Sequence, residues 1–179
     1  GDTLILIARD DRRAADLTAA FPGAVAVASD LADPTALADA VAAALPEAID
    51  GIVHAAGIVE LGTVAELPVD AWTSQLTVNL VAPAELTRLL LPRVRAARGQ
   101  VVFVNSGAGL TAHAGWAAYA ASKHGLKALA DALRSEEAEH GVRVTTVYPG
   151  RTATPMQETV HAQEGAAYDP DRWIDPESV

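Results

Sequence analysis

Tyr119 and Lys123 stand four residues apart in a stretch where Ser122, Leu126, Leu129 and Leu133 recur at helical spacing, so both side chains leave the same helix face. A phenol exchanges its proton poorly near neutral pH, because its ordinary pKa is about 10. An ammonium about 4 Å away would favour the phenolate by roughly 4 kcal/mol at an effective dielectric near 20, on the order of three pKa units. The spacing therefore predicts a tyrosine drawn towards the range of general acid/base work, with the lysine as the cause. Taken alone, the same spacing also describes a solvated helix face.

More residues of this kind surround the pair. Ser106 follows the apolar run Val101-Val102-Phe103-Val104, Asn79 lies in an otherwise helical stretch, and Val144-Thr145-Thr146-Val147 leads to Pro149-Gly150, Thr152 and Thr154. From about Leu4 to Thr154 the chain resembles the short-chain dehydrogenase/reductase family in its shorter, single-domain form. That resemblance implies catalytic roles for Asn79, Ser106, Tyr119 and Lys123. Tyr119 would exchange the proton, Lys123 would lower its pKa and hold the nicotinamide ribose, Ser106 would bind the substrate oxygen, and Asn79 would hold a water through its kinked helix.

The elements that must position these groups alternate along the chain. Leu4 to Ile7, Val25 to Val27, Gly51 to Val53, Val101 to Val104 and Val142 to Val147 read as strands, the first as a continuous apolar run buried on both faces. Between them lie helical patterns from Asp10 to Phe21, after the Asp33-Pro34 cap, from Pro68 to Ala97 and from Ala117 to His140. Pro83 and Pro92 are expected to kink or shorten the third of these. The alternation predicts an α/β fold, a doubly wound parallel sheet of the Rossmann type, with ligands at the carboxyl ends of the strands. Arg9, Asp30, Gly57, Ser106 and Pro149 all fall at that edge.

The 179 residues are half apolar, one-fifth charged, formally −10 in net charge and free of cysteine. This describes one domain over residues 1–179 with a substantial core. Its charge argues against nucleic acid or an anionic membrane surface as partner, and its composition suits the cytoplasm. Asp175-Pro176-Glu177 reads as the start of a helix. The family's first strand and Gly-rich turn, which hold the cofactor pyrophosphate, have no counterpart in the sequence. Without that strand the centre of the sheet would lack a member, at a cost in unpaired backbone groups that points to an internal portion of a longer chain.

For the cofactor, Ala8 is followed by Arg9 where members using NAD usually carry an acid. A guanidinium suits a 2′-phosphate, so NADP(H) is favoured over NAD(H), with Arg12 or Arg13 assisting and Asp10 and Asp11 opposing. Asp30 and Leu31 match the family's adenine contacts, although Asp30 could equally be a turn residue. His54-Ala55-Ala56-Gly57 stands where the family commonly shows Asn-Asn-Ala-Gly; Ala55, Ala56 and Gly57 keep the close approach to the adenosine side, while His54 is read as packed. Pro149, Gly150, Thr152 and Thr154 are expected at the nicotinamide. His113, His124, His140 and His161 show no metal-ligand spacing, and no metal is expected. His113 and Trp116 are candidate substrate neighbours, and a loop after Thr154, through Tyr168-Asp169-Pro170, should cover the pocket. The reading is a hydride-transferring oxidoreductase for a small, fairly apolar ketone, aldehyde or secondary alcohol. It is expected to assemble as a homodimer or homotetramer through the helices from Pro68 and Ala117. The alternative is a dinucleotide-binding sensor without turnover.

Overall fold

A computed structural model of the chain describes residues 3–179. Five strands, β1 (Ile5–Ala8), β2 (Val25–Ala28), β3 (Gly51–His54), β4 (Gln100–Val104) and β5 (Arg143–Val147), alternate with six helices. These are α1 (Asp11–Ala20), α2 (Leu37–Ala44), α3 (Val69–Leu76), α4 (Ala82–Ala97), α5 (Ala117–Glu136) and α6 (Pro155–Glu164). All strand pairs are parallel, as the alternation requires.

The strands form two hydrogen-bonded groups, β1–β2 and β3–β4–β5. Among the described residues, β1 pairs with β2 alone and β3 with β4 alone, so each carries one unpaired edge. Burial follows from this break. Val53 on β3 is 64% exposed and Leu4, just before β1, is 47% exposed. The expectation that the first strand is buried on both faces is therefore corrected: β1 is only half-buried until Ala8, because it lacks a neighbour on one side.

What joins the two groups is helix packing. Leu37 and Val41 of α2 share one apolar cluster with Leu86, Leu90 and Val94 of α4, Val101 and Phe103 of β4, and Leu126 and Leu133 of α5. Fully burying a side chain of this size contributes roughly 1.5–3 kcal/mol, so α2 is the principal clamp on β1–β2. By contrast α1 buries no side chain fully, and Phe21, placed on its apolar stripe by spacing, is about half exposed.

Local sequence explains the breaks in the helices. Asp10 caps α1 by accepting from the Arg13 amide, and Asp33 caps a short 3₁₀ turn, Pro34–Ala36, before α2. The long helical stretch from Pro68 is divided at a single π turn, Thr77–Val81, where the Ala82 amide reaches back to the Thr77 carbonyl. Pro83 follows that turn at once, where its missing N–H removes a normal helical bond, whereas Pro92 lies inside α4 without ending it. The interruption therefore falls at Asn79. A further clamp joins the far ends of α4 and α5, where Arg95 donates to the buried Glu137 carboxylate at 2.6 and 2.7 Å.

Candidate active site

Tyr119, Ser106 and Lys123 meet in one cavity of about 840 Å³ at the carboxyl ends of β3, β4 and β5. Ala55, Gly57, Pro149, Gly150, Thr152 and Thr154 line the same space, together with His113, Trp116 and residues of α6. The site is assembled from the strands upward. At the end of β4, the Asn105 side chain accepts from the Ser106 amide at 2.9 Å and donates to the Lys123 carbonyl at 3.0 Å. One amide thereby fixes the serine relative to the helix that carries the tyrosine and lysine. Gly109 is required beside it, since a Cβ there would overlap Asn105 Oδ1 and lie 3.0 Å from the Lys123 carbonyl oxygen.

Lys123 is 4% exposed and its Nζ donates to the Val104 carbonyl at 3.2 Å. Burial pushes its pKa down to about 8, since the low-dielectric surroundings disfavour the ammonium. Nζ lies 5.8 Å from the centre of the Tyr119 ring. Burial also acts on the phenol, pushing its pKa up, while the Ser106 hydroxyl pulls it down. The expectation that Lys123 draws Tyr119 towards neutrality is thus not met in this structure. Desolvation is the larger effect on both groups, and the phenol is held in its acid form.

Asn79 is 1% exposed, and its side chain is fully engaged. Oδ1 accepts from the Ile58 amide at 2.8 Å, and Nδ2 donates to the Ile58 carbonyl at 2.9 Å and to Ser122 Oγ at 3.0 Å. Ser122 in turn donates to the Tyr119 carbonyl at 2.7 Å. One turn earlier, buried Gln75 accepts from the Glu60 amide at 3.1 Å and donates to its carbonyl at 3.0 Å. Two amides four residues apart therefore hold residues 58–60 as a neighbouring strand would, pinning the backbone that leads away from Gly57. A Cβ on Gly57 would lie 3.2 Å from Asn79 Oδ1 and 3.7 Å from Lys123 Nζ, which accounts for glycine there.

His54 is packed, as read from sequence. Its Nε2 lies 2.9 Å from Thr87 Oγ1 and its ring stacks on Phe103 at 4.8 Å. Burial lowers its pKa to about 4, so it is neutral in the folded protein, whereas an unfolded chain protonates it near 6.5. The unfolded state thus binds more protons as pH falls from about 6.5 to 4, and stability is lost across that window, by on the order of 3 kcal/mol. His54→Asn is expected to flatten this acid limb while costing about 1 kcal/mol at pH 7 for lost stacking. Urea unfolding at several pH values measures both, and an unchanged limb would remove His54 as its source.

The segment expected as a covering loop is largely helical. Thr154 caps α6, its Oγ1 accepting from the Gln157 amide at 3.3 Å, and Pro155 takes the first helical position. Met156, Gln157, Val160 and Glu164 face the cavity. A bridge between Thr152 and Ile174, with the Ile174 amide donating to the Arg151 carbonyl at 3.0 Å, returns the chain over the same side. His161 is buried there between Gln157, Tyr168 and Trp173. Asp175 caps a last short turn, Pro176–Ser178.

Arg9, Asp30 and Leu31 sit with β1–β2, outside this cavity. The Arg9 side chain is exposed and 3.4 Å from Asp10; Asp30 accepts from the Ala32 amide at 2.9 Å as a turn residue, and Leu31 packs on the core. Neither Ala56, which is exposed, nor Asn79, which is buried, lines the cavity. Sequence reading missed Asn105, Gln75, Arg151 and Glu164. Only Asn105, directly before Ser106, had a positional signal.

A doubly wound parallel fold with a Ser, Tyr and Lys cavity at its strand ends defines the class, and comparison with known proteins agrees. The model of the short chain dehydrogenase family matches residues 1–165. The chain belongs to that family of oxidoreductases. It is 34% identical over 145 residues to dehydrogenase/reductase SDR family member 7B of Rattus norvegicus, covering 79% of this chain and 45% of that protein. With 1-deoxy-11-beta-hydroxypentalenate dehydrogenase of Streptomyces exfoliatus it shares 37% identity over 167 residues, 88% of this chain and 60% of the other. The chain thus spans about half the length of these curated relatives. A short chain dehydrogenase from Escherichia coli, crystallised with NADPH, superposes with a TM-score of 0.85 at 28% identity, covering 99% of this chain and 77% of that one.

Proposed function

We propose that this domain belongs to an NADP(H)-dependent oxidoreductase interconverting a small, fairly apolar ketone or aldehyde with its alcohol, Tyr119 being the general acid/base. The observation that carries this reading is the convergence of Tyr119, Ser106 and Lys123 on one cavity, braced by Asn105 and Asn79. The residues present fit the nicotinamide end of a dinucleotide. Gly57 leaves room beside Lys123, and Pro149 to Thr154 border the same space. When bound, the nicotinamide would supply or accept the hydride. Tyr119, held as an acid by burial, gives its proton to the substrate oxygen in reduction. Ser106 donates to that oxygen and fixes its position, and Lys123 holds the ribose and the charge that develops near the phenol. Asn79 acts through backbone, keeping Ile58 and the start of α5 in register.

NADP(H) is preferred because the Arg9 side chain is exposed at the end of β1, paired only with the exposed Asp10 at 3.4 Å, so that a 2′-phosphate would meet a guanidinium there. The unpaired edges of β1 and β3 support the reading of residues 1–179 as an internal portion of a longer Rossmann-like domain, a further parallel strand between them satisfying both. Among the described residues no helix is long and apolar enough to cross a membrane. Assembly as a homodimer or homotetramer is part of the same reading, with Val69 of α3 and Val81 of the π turn both exposed on the stretch from Pro68 that would take part.

Calorimetric titration of the full-length protein with NADPH and then NADH, followed by NADPH oxidation in the presence of a panel of ketones, tests the proposal. NADPH is expected to bind at least about tenfold more tightly, the worth of one charge-assisted phosphate contact. Equal affinity would remove the role given to Arg9, and binding without turnover of any ketone would remove the enzyme reading.

A further inference from the structure

Beyond Tyr119 the cavity holds a second charged pair that the proton chemistry does not use. Arg151, directly after Pro149-Gly150, donates through its two terminal nitrogens to both Glu164 oxygens at 2.8 and 2.6 Å. Both residues line the cavity. The guanidinium carbon lies 5.8 Å from the Trp116 ring and 5.4 Å from the Trp173 ring, so aromatic surface flanks the cation while its end-on pair of donors is engaged by the glutamate. Trp116 also touches Tyr119 edge-on at 5.9 Å, which places the pair one indole away from the reacting oxygen.

The pair is built on fixed backbone. The Arg151 carbonyl accepts from the Ile174 amide, and Gln163, beside Glu164, accepts from the Leu61 amide at 2.7 Å. These bonds fix where the two side chains start, and the paired side chains are only 36% and 24% exposed, unlike an ordinary surface pair. The other charged or titratable groups on the cavity wall are Lys123 at the Tyr119 end and His113 on the loop before Trp116.

We infer that Glu164 decides which substrate charge the cavity accepts. By occupying the two terminal donors of Arg151 it leaves the wall beyond Trp116 neutral and aromatic, admitting a neutral ring or alkyl group and excluding a carboxylate. The inference deepens the ketone reading above and rests on it. An incoming carboxylate would have to displace one already in bidentate geometry and then face it as a like charge. A neutral apolar group meets only indole surface. With Glu164 replaced by glutamine the fork is open, and a substrate carboxylate can take the place of the lost one.

Titration with 4-methylacetophenone and with 4-acetylbenzoate, read on the indole N–H resonances of the three tryptophans in NMR spectra, tests this directly. The native protein is expected to bind the neutral ketone at least tenfold more tightly than the keto acid. Glu164→Gln is expected to shift that ratio at least tenfold towards the acid, and Glu164→Gln combined with Arg151→Gln to restore the preference for the neutral ketone. A native protein that binds the acid as well as the ketone overturns the inference without any variant. An unchanged ratio in a Glu164→Gln protein that still binds the ketone overturns it too, while the ketone reading stands. Binding of neither compound to the native protein overturns both.

Discussion

Tyr119→Phe is expected to lower turnover of every carbonyl or alcohol substrate about 10³-fold while leaving NADPH affinity within about twofold, since general acid/base groups contribute typically 10²–10⁴-fold. The substitution is well isolated structurally. The ring packs edge-on against Trp116 and is buried at the start of α5, and phenylalanine keeps both relations. What is lost is the hydroxyl beside Ser106. Because burial pushes the phenol pKa above its ordinary value, the native group carries its proton throughout the neutral range. Reduction should therefore run at a rate nearly independent of pH around neutrality, whereas oxidation, which needs the phenolate, should accelerate as pH rises. Steady-state rates in both directions, with calorimetry of NADPH on each protein, supply the check. Undiminished turnover in the phenylalanine variant would end the mechanism assigned here.

The features legible in the sequence were those encoded locally. Helical spacing placed Tyr119 and Lys123 on one face of α5, apolar runs located β1 to β5, and the absence of a Gly-rich strand-to-helix turn foretold a break in the sheet between β1 and β3. Long-range polar bonds were not legible. Gln75 and Asn79 reach residues 58–60, and Asn105 reaches Lys123, by hydrogen bonds whose partners are backbone groups distant in sequence. A backbone partner carries no side-chain signature, so nothing in the spacing marks it. The Arg151–Glu164 pair was hidden for a different reason: both side chains carry a charge, but only the folding back of α6 brings them together. Helix α6 itself reads as a loop because its polar residues show little apolar period. The sign of the Tyr119 shift went wrong for a related cause: charge proximity can be inferred from spacing, but desolvation depends on what the rest of the chain packs around the group.

Lys123→Met is expected to raise the stability of the folded protein at pH 7 while it abolishes useful turnover, two effects of opposite sign from one side chain. The native lysine has a folded pKa of about 8 against an ordinary value of 10.5, because its ammonium is desolvated. Between those values the unfolded chain binds more protons than the folded one, so stability rises with pH through the window. Below about pH 8 the whole penalty of burying the charge is present, on the order of 3 kcal/mol. Methionine has nearly the same length and no charge; it leaves the Val104 carbonyl without its donor, at about 1 kcal/mol, so a net gain of about 2 kcal/mol remains. For a domain of this size that corresponds to a rise of roughly 4–8 °C in Tm. Urea unfolding at pH 7 and pH 9.5 separates this cause from improved packing. The native protein should gain stability between the two pH values, and the methionine variant should not. A variant less stable than the native protein at pH 7 would mean that the ammonium is better solvated than its surroundings suggest. A buried cation kept at the cost of stability is the arrangement expected when the charge serves ligand and proton chemistry rather than the fold.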